Sequence, residues 1–136
     1  HIEGRMAVRM IFALLLLLAP VAAPAKPLVI KTGEAVAFRL DRGEPVQVRK
    51  VERTAKPRKG EILVSVRALL GTTLSAINGT GQAWTFKAEL LSGGKASPAR
   101  SCTLPKSRDP IFEQWPGKSA DAVRLSKFVR AKDANC

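Results

Sequence analysis

From Thr32 onward, turn-forming residues interrupt the chain about every ten positions, the spacing produced by a sandwich or small barrel of short antiparallel strands. Thr32-Gly33-Glu34 separates Leu28-Val29-Ile30 from Ala35 to Leu40, both short and apolar. From Pro45 to Arg53, Val46, Val48 and Val51 alternate against Gln47, Arg49 and Lys50, as in a half-buried strand carrying a bulge. Lys56-Pro57-Arg58-Lys59-Gly60 reads as a basic turn. Beyond it Ile62, Val64 and Val66 alternate against Leu63, Ser65 and Arg67, until Gly71 breaks the run. Asn78-Gly79-Thr80-Gly81 then predicts a β-hairpin loop, because Asn and Gly adopt positive φ cheaply. In the strand that follows, Trp84, Phe86, Ala88 and Leu90 share one face, which belongs in a core. Ser92-Gly93-Gly94-Lys95 marks the next turn.

The expected fold is therefore mainly β: a small single-domain antiparallel β-sandwich, immunoglobulin-like in style, or a barrel. The C-terminal segment, 119–132, fits two templates. Ala122, Leu125, Phe128 and Val129 match one face of a short C-terminal helix capped by Ser119, with Asp121 in its first turn. Val123, Leu125 and Phe128 match a strand with one bulge, and a final edge strand suits the rest of the chain better.

The first 25 residues are expected to lie outside this fold. His1-Ile2-Glu3-Gly4-Arg5 has the form of an expression-tag remnant. Residues 6–25 follow the plan of a secretory signal peptide: Arg9 in a basic start, an apolar run from Ile11 to Ala19, and Ala23-Pro24-Ala25 before the cut. The apolar run is short for a membrane span, which needs about 20 residues. Cleavage before Lys26 leaves 26–136, a length that suits one β domain. Export in the bacterial style places it in the periplasm or outside the cell. In that oxidising setting Cys102 and Cys136 are expected to form one disulfide.

The only histidine is His1, in the tag. Ser-His-Asp and Cys-His nucleophilic machinery is excluded from the domain, as are zinc sites of the usual His and Cys spacing. No Gly loop precedes a helix pattern to cradle a phosphate. No cofactor and no metal are expected, and the chain is expected not to be an enzyme. The alternative is a carboxylate-based hydrolase using Glu113, which Phe112 and Trp115 flank and could desolvate. A partly buried carboxylate paired with an arginine is the commoner arrangement for such a residue. Phe112, Glu113 and Trp115 also form an alternative binding patch, or a plug that closes one end of the sandwich.

Charge is the strongest pointer to function. The chain has 23 basic and 11 acidic residues, a net +12. Six of the basic ones, Arg49, Lys50, Arg53, Lys56, Arg58 and Lys59, fall on what is expected to be one basic hairpin. Such a field attracts an anionic envelope polymer, a membrane surface or an acidic protein. Export disfavours nucleic acid. A structural or assembly subunit that lends an edge strand to a partner is a third expectation. Asn78-Gly79-Thr80 also matches a glycosylation sequon, but its turn-forming role already accounts for these residues.

Overall fold

A computed structural model describes residues 27–132. The tag remnant, the expected signal peptide and Cys136 lie outside the described residues, and the Cys102–Cys136 pairing with them. The described chain contains nine strands: β1 (Leu28–Lys31), β2 (Ala35–Asp41), β3 (Glu44–Val51), β4 (Ile62–Arg67), β5 (Thr72–Asn78), β6 (Ala83–Ser92), β7 (Lys95–Ala99), β8 (Ile111–Trp115) and β9 (Ala122–Ala131). They form two antiparallel sheets, ordered β1-β9-β6-β7 and β3-β2-β4-β5-β8. This is the expected sandwich. The sheets do not close into a barrel, and the described residues contain no helix.

The core lies between the sheets. Val36, Phe38, Ile62, Val64, Val66 and Leu74 of the five-stranded sheet meet Ile30, Ala88, Leu90, Val123, Leu125 and Phe128 of the four-stranded sheet there. Trp84 takes part as its alternating strand predicts, with Phe86 packed partly buried against the cluster. Phe128 lies between two other rings, at 5.7 Å from Phe38 and 5.7 Å from Phe86. Leu104, outside any strand, is also buried in this core. It makes a two-way backbone bridge with Trp84.

The segment 119–132 is strand β9, and its mixed periodicity has a local cause. Lys87 pairs with Ser126 and Thr85 with Val129, so Lys127 and Phe128 together face Phe86 alone. Lys127 takes φ 54° at this bulge. The bulge turns Phe128 inward three residues after Leu125, which imitates a helical repeat. Ser119 caps nothing. β9 is also not an edge strand: it runs between β1 and β6.

Two expected hairpins are absent. β5 and β6 belong to different sheets, so Asn78–Gly81 is an arch between sheets. Asn78 is 1 % exposed and supplies the turn from its side chain. Its Nδ2 donates to Gln82 O (2.7 Å) and Pro105 O (2.8 Å), and its Oδ1 accepts from Thr80 N and Oγ1. The basic segment after β3 likewise joins no hairpin, because β2 lies between β3 and β4. True two-residue hairpins occur at Arg42-Gly43 and Gly93-Gly94, where both residues of each pair have positive φ.

Two substitutions test the bulge. Phe128→Ala should cost about 4 kcal/mol, the usual penalty for emptying a buried aromatic site. Lys127→Gly should leave stability unchanged or raise it by about 1 kcal/mol, since glycine meets no Cβ penalty in the left-handed region. Urea denaturation of both variants provides the check.

Candidate functional site

The basic segment is a strap rather than a hairpin. β3 and β4 run parallel on either side of β2, so residues 52–61 must cross β2 to join them. The facing sheet occupies the inner side, which leaves the outer. The strap explains a burial pattern that alternation alone does not. Ala35, Ala37, Leu63 and Ser65 point away from the core cluster, yet all are buried, and Pro57 of the strap is buried as well. Small side chains on β2 and β4 let the crossing chain lie close to the sheet.

Glu61 holds the strap down. It is 3 % exposed and sits where the strap becomes β4. Arg49, on the outer face of β3 opposite Ala37, donates from Nε to Glu61 Oε2 (3.0 Å) and from Nη2 to Oε1 (2.9 Å). The Arg58 backbone N–H adds a third bond to Oε1 at 2.8 Å. Arg49 holds the Glu61 carboxyl at about 2, against an ordinary 4.5. Burial pushes the other way, and the Arg58 N–H adds to the lowering. The same ion pair raises Arg49. Backbone bonds tie the strap to the arch: Gly79 N to Glu61 O (2.7 Å) and Gly60 N to Gly79 O (2.8 Å). A Cβ on Gly79 would stand 2.6 Å from Glu61 O, so only glycine permits this approach.

The six basic residues are therefore not equivalent. Arg49 is half-buried and committed to Glu61. Lys50 projects to the opposite side of β3 and lies 3.5 Å from Glu34. Arg53, Lys56, Arg58 and Lys59 are exposed along the strap. Two further arginines join them. Arg108 Nη2, from the connection between β7 and β8, donates to Pro57 O at 3.0 Å. The Arg39 guanidinium lies against Gly60, where an added Cβ would come within 2.4 Å of Nη1. Arg39 could have been found in the sequence, since it follows inward-facing Phe38 and must face out. Arg108 lies some fifty positions from the strap and no local pattern connects them. Beside the strap's start, Gly33, Glu34, Lys50 and Arg53 line a shallow depression of about 370 Å³.

The segment 111–116 does not form one patch or an end plug. It contains edge strand β8, whose side chains alternate. Phe112 points outward and is 65 % exposed. Trp115 turns into the core, where its Nε1 donates to Arg100 O at 2.9 Å. Glu113 is buried, and its Oε1 accepts the Cys102 backbone N–H rather than an arginine. That contact braces the chain between β7 and β8. No group of three or more metal-ligating side chains occurs among the described residues, and no described helix is long and apolar enough to cross a membrane. No family model, curated protein or solved structure matches the chain.

The clamp makes a pH prediction. The folded-state carboxyl lies below its ordinary value, so its stabilisation is complete above pH 4.5 and is lost as pH falls toward 2. Glu61→Gln should cost about 2 kcal/mol at pH 7, the loss of charge-assisted hydrogen bonds at a buried site. The difference from wild type should shrink toward zero near pH 2. Urea unfolding of both proteins across pH 2–7 measures it.

Proposed function

We propose that this protein is an exported, non-catalytic β-sandwich that binds a phosphate-rich anionic component of the cell envelope through its basic strap. The observation that carries this is the strap itself. Arg53, Lys56, Arg58 and Lys59 stand exposed on one short segment, and Arg108 joins them from a distant part of the chain. Solubility needs no such clustering. Arginine forks favour bidentate contact with phosphate oxygens, and a strap fixed to the sheet presents them with little ordering cost. The signal-like residues 6–25 support the location, and the Cys102–Cys136 disulfide belongs to the same proposal.

The test is a variant with Arg53, Lys56, Arg58 and Lys59 all changed to Gln. Arg49 is left in place because it belongs to the Glu61 clamp. Binding to lipopolysaccharide micelles and to phosphatidylglycerol vesicles should be followed across a salt series. Wild-type affinity should fall as salt rises, and the variant should bind at least tenfold more weakly with a flatter salt dependence. Preference for micelles or vesicles identifies the source of the phosphate. Equal binding by both proteins would leave the strap as ordinary solvated surface.

A second reading, a structural subunit of an envelope assembly, draws support from one observation. β8 is the last strand of its sheet and carries an exposed aromatic ring.

A further inference from the structure

Among the described residues, the exposed large apolar side chains Val29, Val48, Phe112 and Val129 lie singly on strands, which is ordinary for a surface. Leu69 and Leu70 are different. They stand side by side in residues 68–71, the connection from β4 to β5, and are 43 % and 64 % exposed. Leu70 has φ 52°, and Gly71 follows at 93°. The left-handed region suits glycine or asparagine and is rare for a side chain as bulky as leucine. Leu70 thus costs the fold twice, in backbone strain and in apolar surface left in water. The base of the loop is nevertheless fixed. Thr73 Oγ1 donates to Leu69 O at 2.8 Å, and Thr72 Oγ1 to Lys118 O at 2.7 Å. A Cβ on Gly71 would stand 2.4 Å from Trp115 O, so the loop lies directly on the connection between β8 and β9.

Two exposed cations flank the leucines. Arg67 ends β4 just before the loop, and Lys118 follows the residues that Gly71 packs against. Neither takes part in an ion pair among the described residues. The acids at this end of the sandwich are engaged elsewhere: Glu34 faces Lys50, and Asp121 accepts the Gly93 N–H. The basic strap starts at the same end. Val51, which precedes it, pairs with Ala35, and Gly33 N donates to Val66 O beside Arg67.

We infer that residues 68–71 form a membrane anchor, which inserts Leu69 and Leu70 into the acyl region of an anionic bilayer and holds Arg67 and Lys118 at its headgroups. The size of the feature selects this occupant. A stable protein interface covers about 800 Å² on each partner, far more than two leucines offer. A bilayer demands no matching shape, and its affinity grows with apolar area buried plus attraction to anionic lipid. The cations beside the tip supply that attraction, and the fixed base keeps the ordering cost low. One small apolar anchor holds a membrane only weakly, and stable attachment needs a second signal such as a polybasic patch. The strap is that second signal. This last step rests on the proposed function and selects lipid headgroups as the phosphate it meets, whereas the insertion of the leucines does not depend on it.

Co-sedimentation with phosphatidylglycerol vesicles across a salt series tests the anchor. A variant carrying Leu69→Gln and Leu70→Gly should bind at least tenfold more weakly than wild type. The deficit should persist at high salt, because apolar insertion is not screened, whereas the strap variant loses the salt-dependent part. Urea unfolding should show the leucine variant at least as stable as wild type, since both positions are exposed and glycine relieves the strain at 70. Leu69→Trp supplies a direct readout: its added emission should be quenched by vesicles with brominated acyl chains, while Trp84 and Trp115 stay buried. Vesicle binding indifferent to the leucine substitutions, or no quenching at position 69, overturns the inference. Wild type that binds lipopolysaccharide micelles but no vesicles also overturns it and leaves the strap proposal standing. Vesicle binding lost with the leucines but unchanged in the strap variant does the reverse. Self-association without lipid, abolished by the leucine substitutions, would make the tip a protein contact and overturn the anchor.

Discussion

The Glu61 carboxylate is the point on which the outer half of this molecule depends. Its two oxygens take three hydrogen bonds, two from Arg49 and one from the Arg58 backbone. Its own backbone carbonyl binds the arch at Gly79. One residue thus fixes an edge strand, a crossing segment and the passage between sheets. A buried carboxylate is costly unless it is hydrogen-bonded and paired, and here the partners come from β3 and from the strap. Ala35, Ala37, Leu63 and Ser65 are buried on the face of the sheet that the strap crosses.

The arrangement also sorts the positive charge. Arg49 is half of the Glu61 ion pair, and Arg124 forks onto Glu89 across neighbouring strands, with both bonds at 3.0 Å. Arg124 lowers the Glu89 carboxyl and is itself raised. These two arginines serve the fold. The exposed cations of the strap have no such structural duty, which is why charge count alone overstates the candidate site at Arg49 and understates it at Arg108.

The strands were legible in the sequence because alternation and turn residues are local. Val123, Leu125 and Phe128 disclosed both β9 and its bulge, since only a bulge brings the last of them inward. Sheet membership was not legible. Asn78-Gly79 looks like a hairpin turn, but the arch it forms is held in part by Asn78 bonding to Pro105, twenty-seven positions away. The crossing of β2 by the strap was hidden for the same reason: a basic turn between two strands does not reveal that a third strand lies between them. In β4 the outward residues Leu63 and Ser65 read as ordinary alternation, which does not anticipate that both are buried.

Asn78 carries a further consequence for how the protein can be made. Its amide nitrogen already gives both hydrogens to Gln82 and Pro105, inside a site with no exposed surface to speak of. An oligosaccharide transferred there during synthesis in a eukaryotic secretory pathway would replace one of those hydrogens and put a bulky polar group where Pro105 must pack. Chains so modified could not close the arch, and with it they would lose the anchorage of the strap. A host lacking that transferase, or a sequence in which Thr80 no longer completes the acceptor pattern, avoids a conflict between processing and folding that the short motif by itself does not reveal.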